Sequence, residues 1–190
     1  MRTYRTVNLN VLWFLIALNV LIFIITLLRA EAVINLLGLT PALLSKQPWT
    51  IVTSMFAHGS LWHLLLNMIS LYFLGSFLIR AAGEKSFLAI FFLGGVAGNI
   101  LFTLLAYPYS TGIGASGAIF ALGGALAVVV PRVPVFMLFI PVPVPLWVAI
   151  MIFFLFSFLP SIAWQAHLGG LLLGLIAGLI LRRTRQIHSF

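Results

Sequence analysis

Residues 113–130 read IGASGAIFALGGALAVVV, an uncharged run rich in glycine and alanine with a single serine, Ser116, near its head. A bilayer core of about 30 Å asks for about 20 apolar residues in a helix. The run has that length and lacks the strict alternation of an outer-membrane barrel strand. It predicts a membrane helix. Equivalent runs lie at 11–28, 61–79, 86–107, 146–159 and 162–181, the fifth of them short. With 190 residues, 63% of them hydrophobic and 6% charged, and a mean hydropathy of +1.24, the chain reads as a polytopic membrane protein. The expected fold is all-α: six transmembrane helices forming one domain over 1–190.

Charge gives the orientation, because Lys and Arg stay in cytoplasmic loops. With the N-terminus inside, Arg2, Arg5, Arg80, Lys85, Arg132, Arg182, Arg183 and Arg185 fall on the cytoplasmic side, and only Arg29 and Lys46 fall outside. This bias predicts an N-in, C-in topology. The net charge of +8 is spread over several loop ends and the tail, so it suits anionic lipid headgroups and argues against a nucleic-acid surface. The run 11–28 has no small-residue cleavage site after it and is kept as the first helix rather than a signal peptide. Cysteine is absent, which removes disulfide and thiolate-metal chemistry.

The long outer connection, 29–60, is too apolar for a linker. Leu36, Leu37, Leu39, Leu43, Leu44, Trp49, Ile51, Met55 and Phe56 predict short interfacial helices, with Trp49 and Trp62 in the aromatic belt. The prolines between 131 and 145 exclude a regular helix there and predict a cytoplasmic connection. Small residues mark close helix packing: Gly170, Gly174 and Gly178 on the sixth helix, and Gly117, Ala121 and Ala125 on the fourth. Contact along these two rows would carry His167 toward Ser116.

Polar groups inside a membrane are costly and usually functional. His63 and Asn67 fall in the first turns of the second helix, Ser116 at the head of the fourth and His167 in the first turns of the sixth. In the N-in topology these three helices all enter from outside, so the four residues share one depth. Ser116 needs a base to act as a nucleophile, and histidine titrates in the right range. His167 is the better-placed base, while His63 and Asn67, four apart, share a helix face and can donate hydrogen bonds to a developing oxyanion. The Ser116 backbone N–H, at a helix N-terminus, joins them. There is no Asp, and the two Glu residues are Glu31, near the outer end of the first helix, and Glu84, in a cytoplasmic loop. That leaves a Ser-His dyad rather than a carboxylate triad, and it excludes an aspartyl protease; the lack of H-E-x-x-H excludes a zinc protease. Asn99 is expected to bond between helices, His58 to brace the loop and His188 to be solvated.

These motifs together, Phe56-Ala57-His58, His63-x-x-x-Asn67, Gly83-Glu84, Gly114-Ala115-Ser116-Gly117 and Ala166-His167-x-x-Gly170, resemble the rhomboid intramembrane serine proteases, over nearly the whole chain. The resemblance implies a minimal six-helix prokaryotic type: a multi-pass protein of a prokaryotic plasma membrane, its site open to the outer side. It implies Ser116 as nucleophile, His167 as general base and His63, Asn67 and the Ser116 N–H as oxyanion donors, with Gly114, Gly117, Phe120 and Gly170 in support. The substrates implied are transmembrane proteins cleaved near their outer ends, without cofactor or metal. Two positions depart from the family pattern: Thr50 follows Trp49 where many members carry arginine, and Phe120 stands where a tyrosine often packs on the histidine. Two other classes fit the composition. A catalytically silent scaffold on the same fold would usually lack the serine or histidine, and a small transporter would need polar residues continuing to the cytoplasmic side.

Overall fold

The computed structural model describes residues 8–137 and 140–184. Arg2, Arg5, Arg185 and His188 lie outside the described residues. Among the described residues, four helices are long and apolar enough to cross a membrane: α1 (Asn10–Leu28), α4 (Leu61–Ala82), α5 (Glu84–Leu105) and α8 (Trp164–Arg183). Two further apolar helices are shorter, α6 (Ser116–Val129) and α7 (Leu146–Phe156). The ends explain the differences from the expected runs. Gly114 has φ 114° and Ala115 caps the helix, so α6 starts at Ser116 rather than 113. Ala106 is extended two residues before Pro108, which stops α5 at Leu105. After α7 the chain turns through Ser157–Ala163, with Ser161 at φ 66°, and α8 begins at Trp164.

Residues 29–60 form the expected short helices: α2 (Ala30–Leu37), a 3-10 turn at Pro41–Leu43, α3 (Thr50–Thr53) and a second 3-10 turn at Ser54–Phe56. They are tied down by the backbone. Leu39 and Gly112 exchange two hydrogen bonds, of 3.0 and 2.8 Å, and the Trp49 indole donates to the Leu36 carbonyl at 2.8 Å. Thr50, standing where the family often has arginine, is buried and donates to the Gln47 carbonyl at 2.7 Å. Asn99 of α5 bonds the loop rather than another spanning helix, donating to Ile51 O and to Ser54 Oγ.

One segment departs from an all-α reading. Pro134–Met137 (β1) pairs antiparallel with Ile140–Pro145 (β2), with Val135 opposite Val144 and an irregularity between Val135 and Met137. Proline excludes the helix but not a two-stranded ribbon, whose successive residues turn their N–H groups alternately toward and away from the partner. Pro145 stands opposite Pro134, and Pro141 and Pro143 fall in the stretch where the register shifts between the Val135–Val144 and Met137–Ile140 pairs.

The core centres on α6, which packs against α4, α5, α7 and α8. Its join with α8 is backbone on backbone. A Cβ on Gly170 would strike the Gly117 carbonyl, one on Gly174 the Ala121 carbonyl, and one on Gly178 would come 2.7 Å from the Ala125 carbonyl. The two rows of small residues expected to meet do so pair by pair. On the other flank of α8, a Cβ on Gly169 would lie 2.7 Å from the Ala97 carbonyl of α5. Without a hydrophobic force between helices in lipid, such close approach supplies the packing that holds them.

Candidate active site

Gly114 sets up the serine. Its φ of 114° is open to glycine and strained for other residues, and its N–H donates to the Ser54 carbonyl at 2.8 Å. The chain then turns through Ala115 into α6, putting Ser116 in the first turn, where backbone N–H groups have no partner within the helix. Across the α6–α8 seam stands His167, buried at 8% exposure. Its Nε2 is 2.7 Å from Ser116 Oγ. The Phe120 ring, one turn along α6, packs against the imidazole at 4.5 Å between centroids and 31° between planes. The phenyl ring retains the packing face that a tyrosine would give. Phe154 of α7 meets Phe120 edge-on at 6.0 Å.

His63 approaches the same turn from α4. A Cβ on Gly114 would lie 2.6 Å from His63 Nε2, so the imidazole sits directly against that glycine. Ser60 caps α4 by accepting from the His63 N–H at 3.2 Å, which fixes where the helix starts. Asn67 is buried one turn further on. Its amide donates to the His63 carbonyl at 2.8 Å, while its Oδ1 has no hydrogen-bond partner among the described residues. The structure therefore brings Ser116, His167, Phe120, Gly114 and His63 together, and turns one Asn67 donor back onto its own helix.

Behind His63 lies His58, fully buried, its ring edge-on to that of His63 at 4.9 Å and neither nitrogen hydrogen-bonded. Burial first, and the neighbouring His63 second, push His58 down to about 3, so it is neutral at ordinary pH.

One site residue escaped the sequence reading. Ser157 Oγ lies 2.7 Å from His167 Nδ1, and Ser157 is 2% exposed. It follows the last turn of α7, its N–H bonded to the Phe154 carbonyl, and the turn through Ser161 carries the chain back to α8. The only signal in the sequence was a hydroxyl within the apolar run 146–159, which membrane packing alone would explain.

A serine at a helix N-terminus, bonded to a buried histidine on a neighbouring apolar helix, defines the class: a helical membrane protein with a serine–histidine pair. Comparison with known proteins shows the family. The Rhomboid domain family matches residues 45–184. Rhomboid-like protease 3 of Toxoplasma gondii is 30% identical over 182 residues, covering 87% of this chain and 66% of its own length. The mitochondrial Rhomboid protein 1 of Saccharomyces cerevisiae is 31% identical over 150 residues, 68% of this chain and 40% of its own length. The putative rhomboid protease YdcA of Bacillus subtilis is 30% identical over 119 residues, 60% of this chain and 59% of that one. The chain thus spans 40% and 66% of the yeast and Toxoplasma proteins. The chain belongs to the rhomboid family and is an integral, multi-pass membrane protein. Because its relatives include a mitochondrial one, membership does not choose the membrane.

Proposed function

We propose that this protein is an intramembrane serine endopeptidase that cleaves transmembrane substrates near their outer ends with a Ser116–His167 dyad. The observation that carries the proposal is the 2.7 Å contact between Ser116 Oγ and His167 Nε2 at the head of α6. Nucleophile and base within hydrogen-bond reach are the signature of an activated serine. The relatives named as proteases support the same reading.

In the reaction we assign, Ser116 Oγ bonds to the substrate carbonyl carbon while its proton passes to His167 Nε2, and the carbonyl electron pair moves onto oxygen. The oxyanion is met by the Ser116 N–H, by His63 and by the free N–H of Asn67, in a water-poor setting where such donors count most. Collapse breaks the C–N bond, and the leaving amine takes the proton from Nε2. Water then gives a proton to Nε2 and attacks the ester; Oγ departs and recovers that proton. No step calls on a cofactor or a metal.

We assign six membrane spans with both termini inside, α6 and α7 crossing as short helices. The distribution of Arg and Lys supports this orientation. At 14 residues α6 is about 21 Å long, short of a hydrocarbon core of about 30 Å. We assign the shortfall to its N-terminal end, which would set Ser116 below the outer surface, where it could meet both a substrate helix and water from outside. A prokaryotic plasma membrane is the location we favour, supported by the compact layout and the similarity to the Bacillus protein.

The test pairs a fluorophosphonate probe with cleavage of a model transmembrane substrate, using wild type, Ser116→Ala and His167→Ala in detergent and in vesicles. Labelling and cleavage by wild type alone are expected. A wild type that does neither, or a Ser116→Ala variant that still cleaves, overturns the proposal.

A further inference from the structure

We propose that Ser157 is a positioning residue for the base: its hydroxyl accepts the Nδ1–H of His167 and so selects the tautomer in which Nε2 can take the Ser116 proton. The inference rests on the protease reading above. It extends the two-residue site to a relay of Ser157, His167 and Ser116, drawn from the end of α7, from α8 and from the head of α6.

The geometry is symmetrical about the ring. Both imidazole nitrogens face a serine oxygen at 2.7 Å, Nδ1 toward Ser157 and Nε2 toward Ser116. A neutral imidazole carries one proton, so it donates from one nitrogen and accepts at the other. When Nε2 accepts from Ser116, Nδ1 must donate, and the oxygen in place to receive it is Ser157 Oγ. Ser157 is buried, and its Oγ has no hydrogen-bond partner other than His167 among the described residues. An unmade bond at Nδ1 would leave a buried polar group unsatisfied.

Once Nε2 takes up the proton, both nitrogens donate. A neutral hydroxyl can stabilise that cation through its oxygen dipole without bringing a second charge into lipid, where an unpaired carboxylate would be costly. A hydroxyl is also a weaker selector than a carboxylate, because it can rotate and donate to Nδ1 in the opposite tautomer. Phe120 holds the plane of the ring but accepts equally the half-turn about the Cβ–Cγ bond that exchanges Nδ1 with Cδ2. Ser157 selects between the two from the edge.

Among the described residues no charge takes over this role. The titratable group facing His167 is His63 of α4, with His58 behind it. The facing parts of α5, α6 and α7 carry none: Glu84 and Lys85 lie at the far end of α5, and α6 and α7 contain no ionisable residue. On α8 itself, Arg182 and Arg183 are at the opposite end.

The experiment compares wild type with Ser157→Ala, Ser157→Thr and Ser157→Cys for cleavage of a model transmembrane substrate, with folding checked by thermal unfolding. Ser157→Ala should lose about 10-fold in kcat, the order expected for one orienting hydrogen bond, with KM unchanged. The acidic limb of its kcat/KM profile should move to lower pH, because the protonated base has lost its acceptor. Ser157→Thr keeps the hydroxyl and should restore most of the rate and the wild-type limb. Ser157→Cys, close in size and a poor acceptor, should behave like Ala, and it carries the test if Ala does not fold. Wild-type kcat and an unmoved acidic limb in folded Ala or Cys overturn the role of Ser157, and so does a Thr variant as slow as Ala. Those results leave the protease reading intact when wild type cleaves and Ser116→Ala does not; an inactive wild type sinks that reading instead.

Discussion

Gly170 on α8 lies so close to the Gly117 carbonyl on α6 that a single added carbon would strike that oxygen. Gly117 follows the proposed nucleophile, and Gly170 lies three residues beyond the proposed base. The spacing of Ser116 and His167 is thus set by backbone contact. Gly170→Ala and Gly174→Ala should each destabilise the protein by about 1–3 kcal/mol, the usual cost of overpacking, and also abolish fluorophosphonate labelling by parting the pair. Thermal unfolding in detergent reads the first effect. Leu27→Ala, at a residue 69% exposed, is the control and should change little.

Ser116→Ala and His167→Ala should each lower kcat by about 10⁴-fold or more while the protein unfolds at nearly the wild-type temperature. Residues acting as one unit lose most of their effect together, so the double variant should be no slower than either single one. Additive losses would mean that the two do not form one device.

Asn67→Ala should slow turnover by roughly 10- to 100-fold, at or below the cost of one oxyanion donor in a soluble serine protease, because one of its two N–H groups is already committed to the His63 carbonyl. Substrate cleavage at wild-type rate would remove Asn67 from the oxyanion site.

Gly114→Ala combines two penalties, a side chain at φ 114° and a carbon 2.6 Å from His63 Nε2. Labelling of Ser116 should fall sharply even where the protein remains folded. Undiminished labelling would show that the turn can move without disturbing the serine.

His58 sets a pH dependence of stability. With His58 held at about 3 in the folded state, against 6.5 in the unfolded chain, the unfolded state binds more protons between those values. Its contribution is fully present above about pH 6.5 and is lost progressively as pH falls toward 3. Unfolding temperatures should drop over that window, and His58→Phe should flatten the slope. A slope unchanged by the substitution would assign the acid sensitivity elsewhere.

Much of this was legible in the sequence because lipid restricts the options. Apolar length located the helices, and the four-residue spacing of Gly170, Gly174 and Gly178 announced a seam whose partner row could be read from Gly117, Ala121 and Ala125. The proximity of Ser116 and His167 could be expected because a membrane leaves few polar residues to choose from. Other features depended on local geometry that spacing does not encode. The donor of Asn67 turned to its own helix, a choice between equivalent rotamers. Ser157 reached His167 through a turn whose direction depends on the left-handed backbone of Ser161. The ribbon at 134–145 was hidden because proline reports which structure is refused, not which one is adopted.

That ribbon has a further consequence. Two strands leave two open edges, and an open edge ordinarily recruits strands from other molecules. Three of the six residues of β2, Pro141, Pro143 and Pro145, have no N–H to offer an incoming strand. A second chain arriving at β2 would meet these gaps and an irregular register together, so this strand is a poor template for intermolecular sheet.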